Sequence, residues 1–164
     1  MKQVLYNGVT LVGLLIGISS CNSKQSEGHD NDIKQDEELF ISVLEKHLNA
    51  VSSKDLTLLK TTMSPNGDME LILPNSEIKY SADEFIKFHE EWFEIHDWTF
   101  KTKILSSHIG DRIGVATTEI LYEEPDRNGK PYFNRMIVSY SLEKVNGSWY
   151  IIKDHASSID KTSY

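Results

Sequence analysis

The C-terminal part of the chain constrains the fold most, because its apolar residues recur at every second position. Four such stretches follow one another: Trp98 to Leu105, Asp111 to Glu124, Tyr132 to Leu142 and Trp149 to His155. This alternation is typical of strands with one buried face. Asn146-Gly147 is a two-residue turn signal, and the stretch at 126–129 marks another reversal. The sequence therefore predicts an antiparallel meander.

Helical patterns precede the meander. Apolar residues at spacings of three and four predict a first helix from about 36 to 52, with Asp55 as the N-cap of a shorter second helix. Ser81 and Glu84 form a capping box that opens a third helix. "DMELILP" between the second and third helices predicts a short strand. Helices followed by a meander indicate an α+β fold in which a curved antiparallel sheet wraps around about three N-terminal helices.

The first 35 residues are predicted to direct the protein to secretion and to anchor it to a membrane. Lys2 precedes an apolar stretch at 9–18, which is too short to span a bilayer and is typical of a secretory signal peptide over 1–20. Ile18-Ser19-Ser20-Cys21 resembles the lipobox of bacterial lipoproteins, so we expect lipid on Cys21, the only cysteine. Residues 21–35 are polar and are predicted to form a flexible tether. The expected location is the bacterial cell envelope, with the membrane reached through lipid.

Charge and motifs exclude several classes of function. The net charge of −8 and the lack of a basic stripe argue against a nucleic-acid partner. Nothing in the sequence resembles a nucleophile motif, a phosphate-binding loop or a zinc site, so no metal or other cofactor is expected.

A family resemblance covers residues 36–160. The order of the helices, the strand and the stretches "GDRIGVATTEILYEE" and "GKPYFNRMIVSYSLEKVNGSWYIIKDHASS" is similar to the SnoaL-like branch of the nuclear transport factor 2-like superfamily. The resemblance implies a cone-shaped α+β domain with a pocket between helices and sheet, frequently dimerised through the outer face of the sheet. It leaves the chemistry open, because the superfamily includes isomerases, cyclases, dehydratases and non-catalytic binding domains.

The turn at Asn146-Gly147 predicts which side chains face the pocket. Counting outward from it places Tyr140 opposite Lys153 and Val138 opposite His155, with Asp154 on the outer face. His155 is thus the candidate general base, with the Tyr140 or Tyr122 hydroxyl as hydrogen-bond donor. The full set of pocket candidates is His155, Tyr140, Tyr122, Trp92, His47 and Val138. For Tyr122 the sequence does not decide which face of its strand is buried, and His47 is also consistent with a core histidine.

Two functions stay open at this point. The first is an envelope lipoprotein that binds a small apolar or amphipathic molecule, or a protein partner, without chemistry. The second is an isomerase, cyclase or dehydratase that uses His155 as general base. Apolar rows on both faces of the strand at 111–124, including Ile113 and Val115 on one of them, also suggest a homodimer.

Overall fold

The structure is a computed structural model that describes the backbone of residues 24–163 and the side chains of residues 33–163. The predicted signal peptide and the lipidation site at Cys21 lie outside the described residues. Within the part of the chain that is described, no helix is both long and apolar enough to cross a bilayer.

Residues 24–163 form three helices and six strands, and the four-stranded meander comes last, as predicted. The helices are α1 (Lys24–Ser52), α2 (Leu56–Lys60) and α3 (Ala82–Phe93). The strands are β1 (Glu70–Ile72), β2 (Ile78–Lys79), β3 (Thr99–Ile109), β4 (Ile113–Arg127), β5 (Lys130–Val145) and β6 (Ser148–Lys161). One curved open sheet has the strand order β2-β1-β6-β5-β4-β3, with β1 parallel to β6 and every other pair antiparallel. The predicted α+β class is confirmed.

Local signals explain where the two shorter helices begin. The Asp55 carboxylate accepts a hydrogen bond from the Leu58 N–H at 2.8 Å, which caps α2. The Ser81 hydroxyl accepts from the Glu84 N–H at 3.2 Å and so caps α3. In a capping box the Glu84 side chain would accept from the N–H of Ser81. Here it accepts instead from the N–H of Tyr80, one residue earlier, at 2.7 Å.

Helix α1 begins earlier than the sequence predicts. It is already helical at Lys24, whereas the prediction put a flexible tether over 21–35 and the helix start near Asp36. The packing of α1 side chains on the domain nevertheless starts where the prediction places it. Asp36 bonds to Trp149 and Lys144, and Phe40 is the first fully buried residue of the helix. The preceding stretch contains one glycine, which a helix tolerates at a modest cost, so the helix continues through it.

The core lies between the concave face of the sheet and the helices. Phe40 packs edge-on against Trp149, with 5.3 Å between ring centroids. A Cβ atom on Gly114 of β4 would lie 2.4 Å from Cε2 of Phe40, so only glycine allows the ring to approach the strand this closely. The inward-facing rows of β4 and β5 complete the core. Their buried members include Ala116, Thr118, Ile120, Tyr122, Val138, Tyr140 and Leu142.

The predicted register of β5 on β6 holds only near the turn. Asn146 and Gly147 have positive φ, and Val145 pairs with Ser148 and Leu142 with Ile151, as expected. The next pair is Ser141 with Lys153, so Ile152 is an extra residue, a β-bulge, in β6. From there on Tyr140 pairs with Asp154 rather than Lys153. A bulge of one residue exchanges the two faces of the strand relative to an unbroken register.

Candidate functional site

A cavity of about 210 Å³ lies between the concave face of the sheet and α3. Most of its wall is apolar or aromatic: Val51, Leu71, Leu73, Pro74, Phe88, Trp92, Phe100, Ile120, Met136, Val138 and Ala156. The volume is below the roughly 300–1,000 Å³ of common ligand pockets. A ligand enclosed by this cavity is therefore small and mainly apolar.

Asp154 and Tyr140 are the buried acid and hydroxyl of this cavity. They are paired residues on β6 and β5, and Leu71 of β1 flanks Asp154 on its other side. Asp154 is 9% exposed and Tyr140 is 1% exposed. Burial raises the pKa of Asp154 to about 7, and the hydrogen bond of the Tyr140 hydroxyl opposes that rise. Burial and the nearby carboxylate raise the pKa of Tyr140 well above its usual value. Asp154 therefore changes its charge near neutral pH while Tyr140 stays protonated.

An ionic cluster forms the wall of the cavity at the β4–β5 end. Arg127 pairs with both oxygens of Glu124, and its guanidinium lies 3.4 Å from the ring centroid of Tyr132. Glu124 also accepts a hydrogen bond from the Tyr122 hydroxyl. Burial is the main cause that raises the pKa of Tyr122 to about 12. The polar groups of this wall are occupied by one another, which leaves Asp154 as the acid that can exchange a proton with a ligand.

A family model matches the sequence of this chain. The model of the SnoaL-like domain matches residues 41–161, which is most of the chain. The chain belongs to the SnoaL-like domain family. None of the curated proteins matches it significantly.

Solved structures share the fold of this SnoaL-like domain at low sequence identity. A ketosteroid isomerase-like protein from Erwinia carotovora atroseptica has a TM-score of 0.64 and 16% identity, over 75% of this chain and 95% of that one. A dehydratase-like member of the NTF2-like family from Streptomyces avermitilis has a TM-score of 0.65 and 12% identity, over 77% and 97%. An NTF2-like superfamily protein from Salmonella enterica has a TM-score of 0.63 and 19% identity, over 78% and 93%. At these identities the likeness shows the fold alone.

The SnoaL-like domain brings four of the six predicted pocket residues to the cavity. Tyr140, Tyr122, Trp92 and Val138 all line it. The prediction for His155 is wrong: this side chain is exposed, its residue pairs with Ser139, and it lies outside the cavity wall. The physical reason is the bulge at Ile152, which turns Asp154 inward and His155 outward.

His47 is a core residue rather than a pocket residue. It is fully buried, and its Nδ1 lies 2.8 Å from the Thr62 hydroxyl. That hydroxyl donates to the Leu59 carbonyl, so Nδ1 of His47 carries the proton and donates to Thr62. Burial, with a smaller contribution from His89, lowers the pKa of His47 to about 3. His47 is therefore neutral at physiological pH and outside the wall of the cavity.

His89 of α3 also lines the cavity. Its Nδ1 donates to the Phe85 carbonyl at 2.9 Å, which leaves Nε2 as an acceptor. Burial lowers its pKa to about 4. The buried face of α3 is formed by Phe85, His89 and Phe93.

Sequence reasoning missed Asp154, Asn134 and Arg127 as cavity residues. For Asp154 the missing signal was the bulge, since Ile151 and Ile152 are both apolar and do not reveal a break in the alternation. For Asn134 the signal was present, because it has the same parity on β5 as Met136, Val138 and Tyr140. Among residues 33–163, no three His, Cys, Asp or Glu side chains are grouped so that they could hold a metal ion.

Proposed function

We propose that this domain catalyses proton transfer on a small, mainly apolar carbonyl compound, as an isomerase or dehydratase does, with Asp154 as the general base. One observation carries the proposal: a carboxyl group with a pKa of about 7 stands in an apolar cavity next to a tyrosine hydroxyl. A general base works best when its pKa is near the working pH. A large fraction of it is then deprotonated, and it is still basic enough to remove a proton from the substrate.

The reaction is an isomerisation in which a double bond moves into conjugation with the carbonyl. The Asp154 carboxylate removes a proton from the carbon between the carbonyl and the double bond, and the electron pair moves toward the carbonyl oxygen to give a dienolate. Protonation of Asp154 weakens its hold on the Tyr140 hydroxyl, which is then available to donate to that oxygen. Asp154 returns the same proton to the far end of the former double bond. Atoms and charge balance without a cofactor.

The fold comparisons support this class of chemistry. One structural neighbour is described as ketosteroid isomerase-like and another as dehydratase-like. The cavity volume of about 210 Å³ favours substrates smaller than a steroid, since it is below the roughly 300–1,000 Å³ of common ligand pockets.

The test uses cyclohex-3-enone, whose seven non-hydrogen atoms suit the cavity. Its isomerisation to cyclohex-2-enone is followed by the gain in ultraviolet absorbance. We expect kcat/KM to rise with pH and level off above about 7, because the base must be deprotonated. Asp154→Asn should lower kcat/KM by about 10²–10⁴-fold. Tyr140→Phe should lower it by about 10²-fold, in the range found when one oxyanion donor is removed.

The control is His155→Ala, the adjacent exposed residue, which should leave kcat/KM within twofold of the parent. Equal losses in Asp154→Asn and His155→Ala, or turnover that persists in Asp154→Asn, would contradict the assignment of Asp154. Circular dichroism and denaturant unfolding of each variant establish that it is folded.

The second candidate is binding without chemistry, and the apolar wall of the cavity favours it. The polar groups of Tyr122, Glu124 and Arg127 form hydrogen bonds with one another. This region would therefore contact a ligand by packing rather than by proton transfer. Binding of cyclohex-2-enone measured by calorimetry, with no turnover of the 3-isomer at any pH from 5 to 9, would select this function.

We also propose that the domain is held at the cell envelope by lipid on Cys21. The supporting pattern is Lys2, the apolar stretch at 9–18 and the small residues before the only cysteine. Mass spectrometry of membrane-extracted protein should find a mature N-terminus at Cys21 carrying acyl chains, and Cys21→Ala should abolish the modification. A chain that starts at Met1 with an unmodified Cys21 would contradict this proposal.

A further inference from the structure

Two polar groups at the far end of the concave face have no hydrogen-bond partner. Oδ1 of Asn134 is buried and unpaired among the described residues, and so is Oγ of Ser158. Asn134 as a whole is 8% exposed. Buried polar atoms in folded proteins are nearly always paired, so two unpaired atoms close together indicate a place where a partner belongs.

Both residues belong to the inward rows of their strands. Ser158 pairs with Met136, and Asn134 is two residues before Met136 on β5, with the same parity. A second bulge, at Ile159, follows Ser158 and places Lys161 opposite Asn134. The two residues are therefore diagonal neighbours on the concave face, in continuation of the row that begins with Tyr140 and Asp154.

An outer cavity of about 260 Å³ adjoins the first one at this end. Both Asn134 and Ser158 line it. Leu73, Pro74 and Tyr132 are common to the walls of both cavities, as is Asn134. The turn after β1, Tyr132 and Asn134 thus border both cavities, so a ligand that extends from one cavity into the other would pass along them.

We infer that Asn134 and Ser158 form a second polar subsite, which binds a hydroxyl group at the far end of an elongated ligand. A hydroxyl fits because it both donates and accepts, as the amide of Asn134 and the hydroxyl of Ser158 do. A half-turn of the Asn134 amide presents either its oxygen or its NH₂ group to the ligand. The ligand class is an apolar chain with a carbonyl at the Asp154 end and a hydroxyl at the Asn134 end. The inference rests on the proposed function for the carbonyl end.

The spacing along β6 sets the length of the ligand. Asp154 and Ser158 are four residues apart with no bulge between them. At about 3.3 Å per residue their Cα atoms are about 13 Å apart. A molecule such as 10-hydroxydecan-2-one has its carbonyl and hydroxyl groups at nearly this separation when extended.

The experiment compares 10-hydroxydecan-2-one with decan-2-one, which lacks only the hydroxyl. Calorimetry on the parent protein should give about tenfold tighter binding of the hydroxy ketone, since the plain ketone leaves Asn134 and Ser158 unpaired. Asn134→Leu and Ser158→Ala should each remove most of this preference. Ser157→Ala, an exposed neighbour on the opposite face, is the matched control and should keep the preference.

Equal affinities of the two ketones for the parent protein, or a tenfold preference that persists in both variants, would overturn the inference. Ser158→Ala keeps the test valid if Asn134→Leu does not fold. Failure of this inference is distinguishable from failure of the proposed function. Cyclohex-3-enone is too short to extend from Asp154 to Ser158, so its turnover does not require the hydroxyl subsite, whereas the hydroxyl preference should survive in Asp154→Asn.

Discussion

The two halves of strand β6 lie on the same concave face but have different surroundings. Trp149 and Ile151, before the bulge, are completely packed against α1 and its neighbours, and the indole N–H of Trp149 donates to Asp36 at 3.1 Å. Asp154 and Ser158, after the bulge, border the two cavities. We refer to these regions as the packed half and the hollow half.

The difference separates stability from chemistry within one strand. In the packed half, the large side chains are buried and the polar atom of Trp149 is satisfied. In the hollow half, a carboxyl group has a raised pKa and the Ser158 hydroxyl has no partner among the described residues. Groups of this kind lower stability, and they are typical of sites that interact with a ligand.

The largest expected effect is the loss of stability when a ring that packs against the packed half is removed. Phe40 is such a ring, because it contacts Trp149. Phe40→Ala should lower the free energy of unfolding by about 3–5 kcal/mol, because a fully buried ring leaves a cavity. Phe88→Ala, which removes a half-buried ring from the cavity wall, should cost less than half as much. Urea unfolding at pH 7 measures both. Equal losses would show that the two halves are packed alike.

The pH dependence of stability should distinguish the halves next. His47 and His89 have lowered pKa values, so between about pH 4 and 6.5 they bind protons only in the unfolded state, and stability falls as the pH falls. Asp154 has a raised pKa and binds its proton in the folded state over most of this range, which opposes the loss. Each group contributes about 1.4 kcal/mol per pH unit.

Asp154→Asn should therefore steepen the fall in stability by about 1.4 kcal/mol per pH unit between pH 4.5 and 6.5. Urea unfolding of the parent and the variant at pH 4.5, 5.5 and 6.5 gives the two slopes, and His155→Ala serves as the control. Parallel curves for the parent and Asp154→Asn would show that the pKa of Asp154 is not raised.

The smallest expected effect concerns the outer face, where the two halves also differ. Ile113 and Val115 are 48% and 44% exposed behind the packed half, whereas Arg135 and Asp160 form an exposed ion pair behind the hollow half. We expect a second copy of the chain to cover the apolar end, with weak association at tens of micromolar. Sedimentation of residues 34–164 should show a dimer that Val115→Glu disrupts without changing cavity binding. A strict monomer would contradict this expectation.

The sequence predicted the elements better than their details because the signals differ in range. Capping residues and the Asn146-Gly147 turn act within a few residues, and the structure confirms them. The inward position of Tyr140 followed from the same turn. The position of Asp154 did not, because it depends on the bulge at Ile152, where two adjacent isoleucines conceal the extra residue. The positions of the cavities could not be predicted, because they depend on how side chains from distant parts of the chain pack together, and no local sequence pattern encodes this.

The bulge at Ile152 also matters for how such a domain could diversify. It lets the strand after it change register while Trp149 and Ile151 keep theirs. In an unbroken register Lys153 would stand opposite Tyr140, and His155 would take the next inward position. A single insertion or deletion in the strand could thus exchange an acid for an amine or an imidazole at the base of the cavity. The packing around Trp149 and Ile151 would be inherited unchanged, and natural selection would act on the chemistry alone.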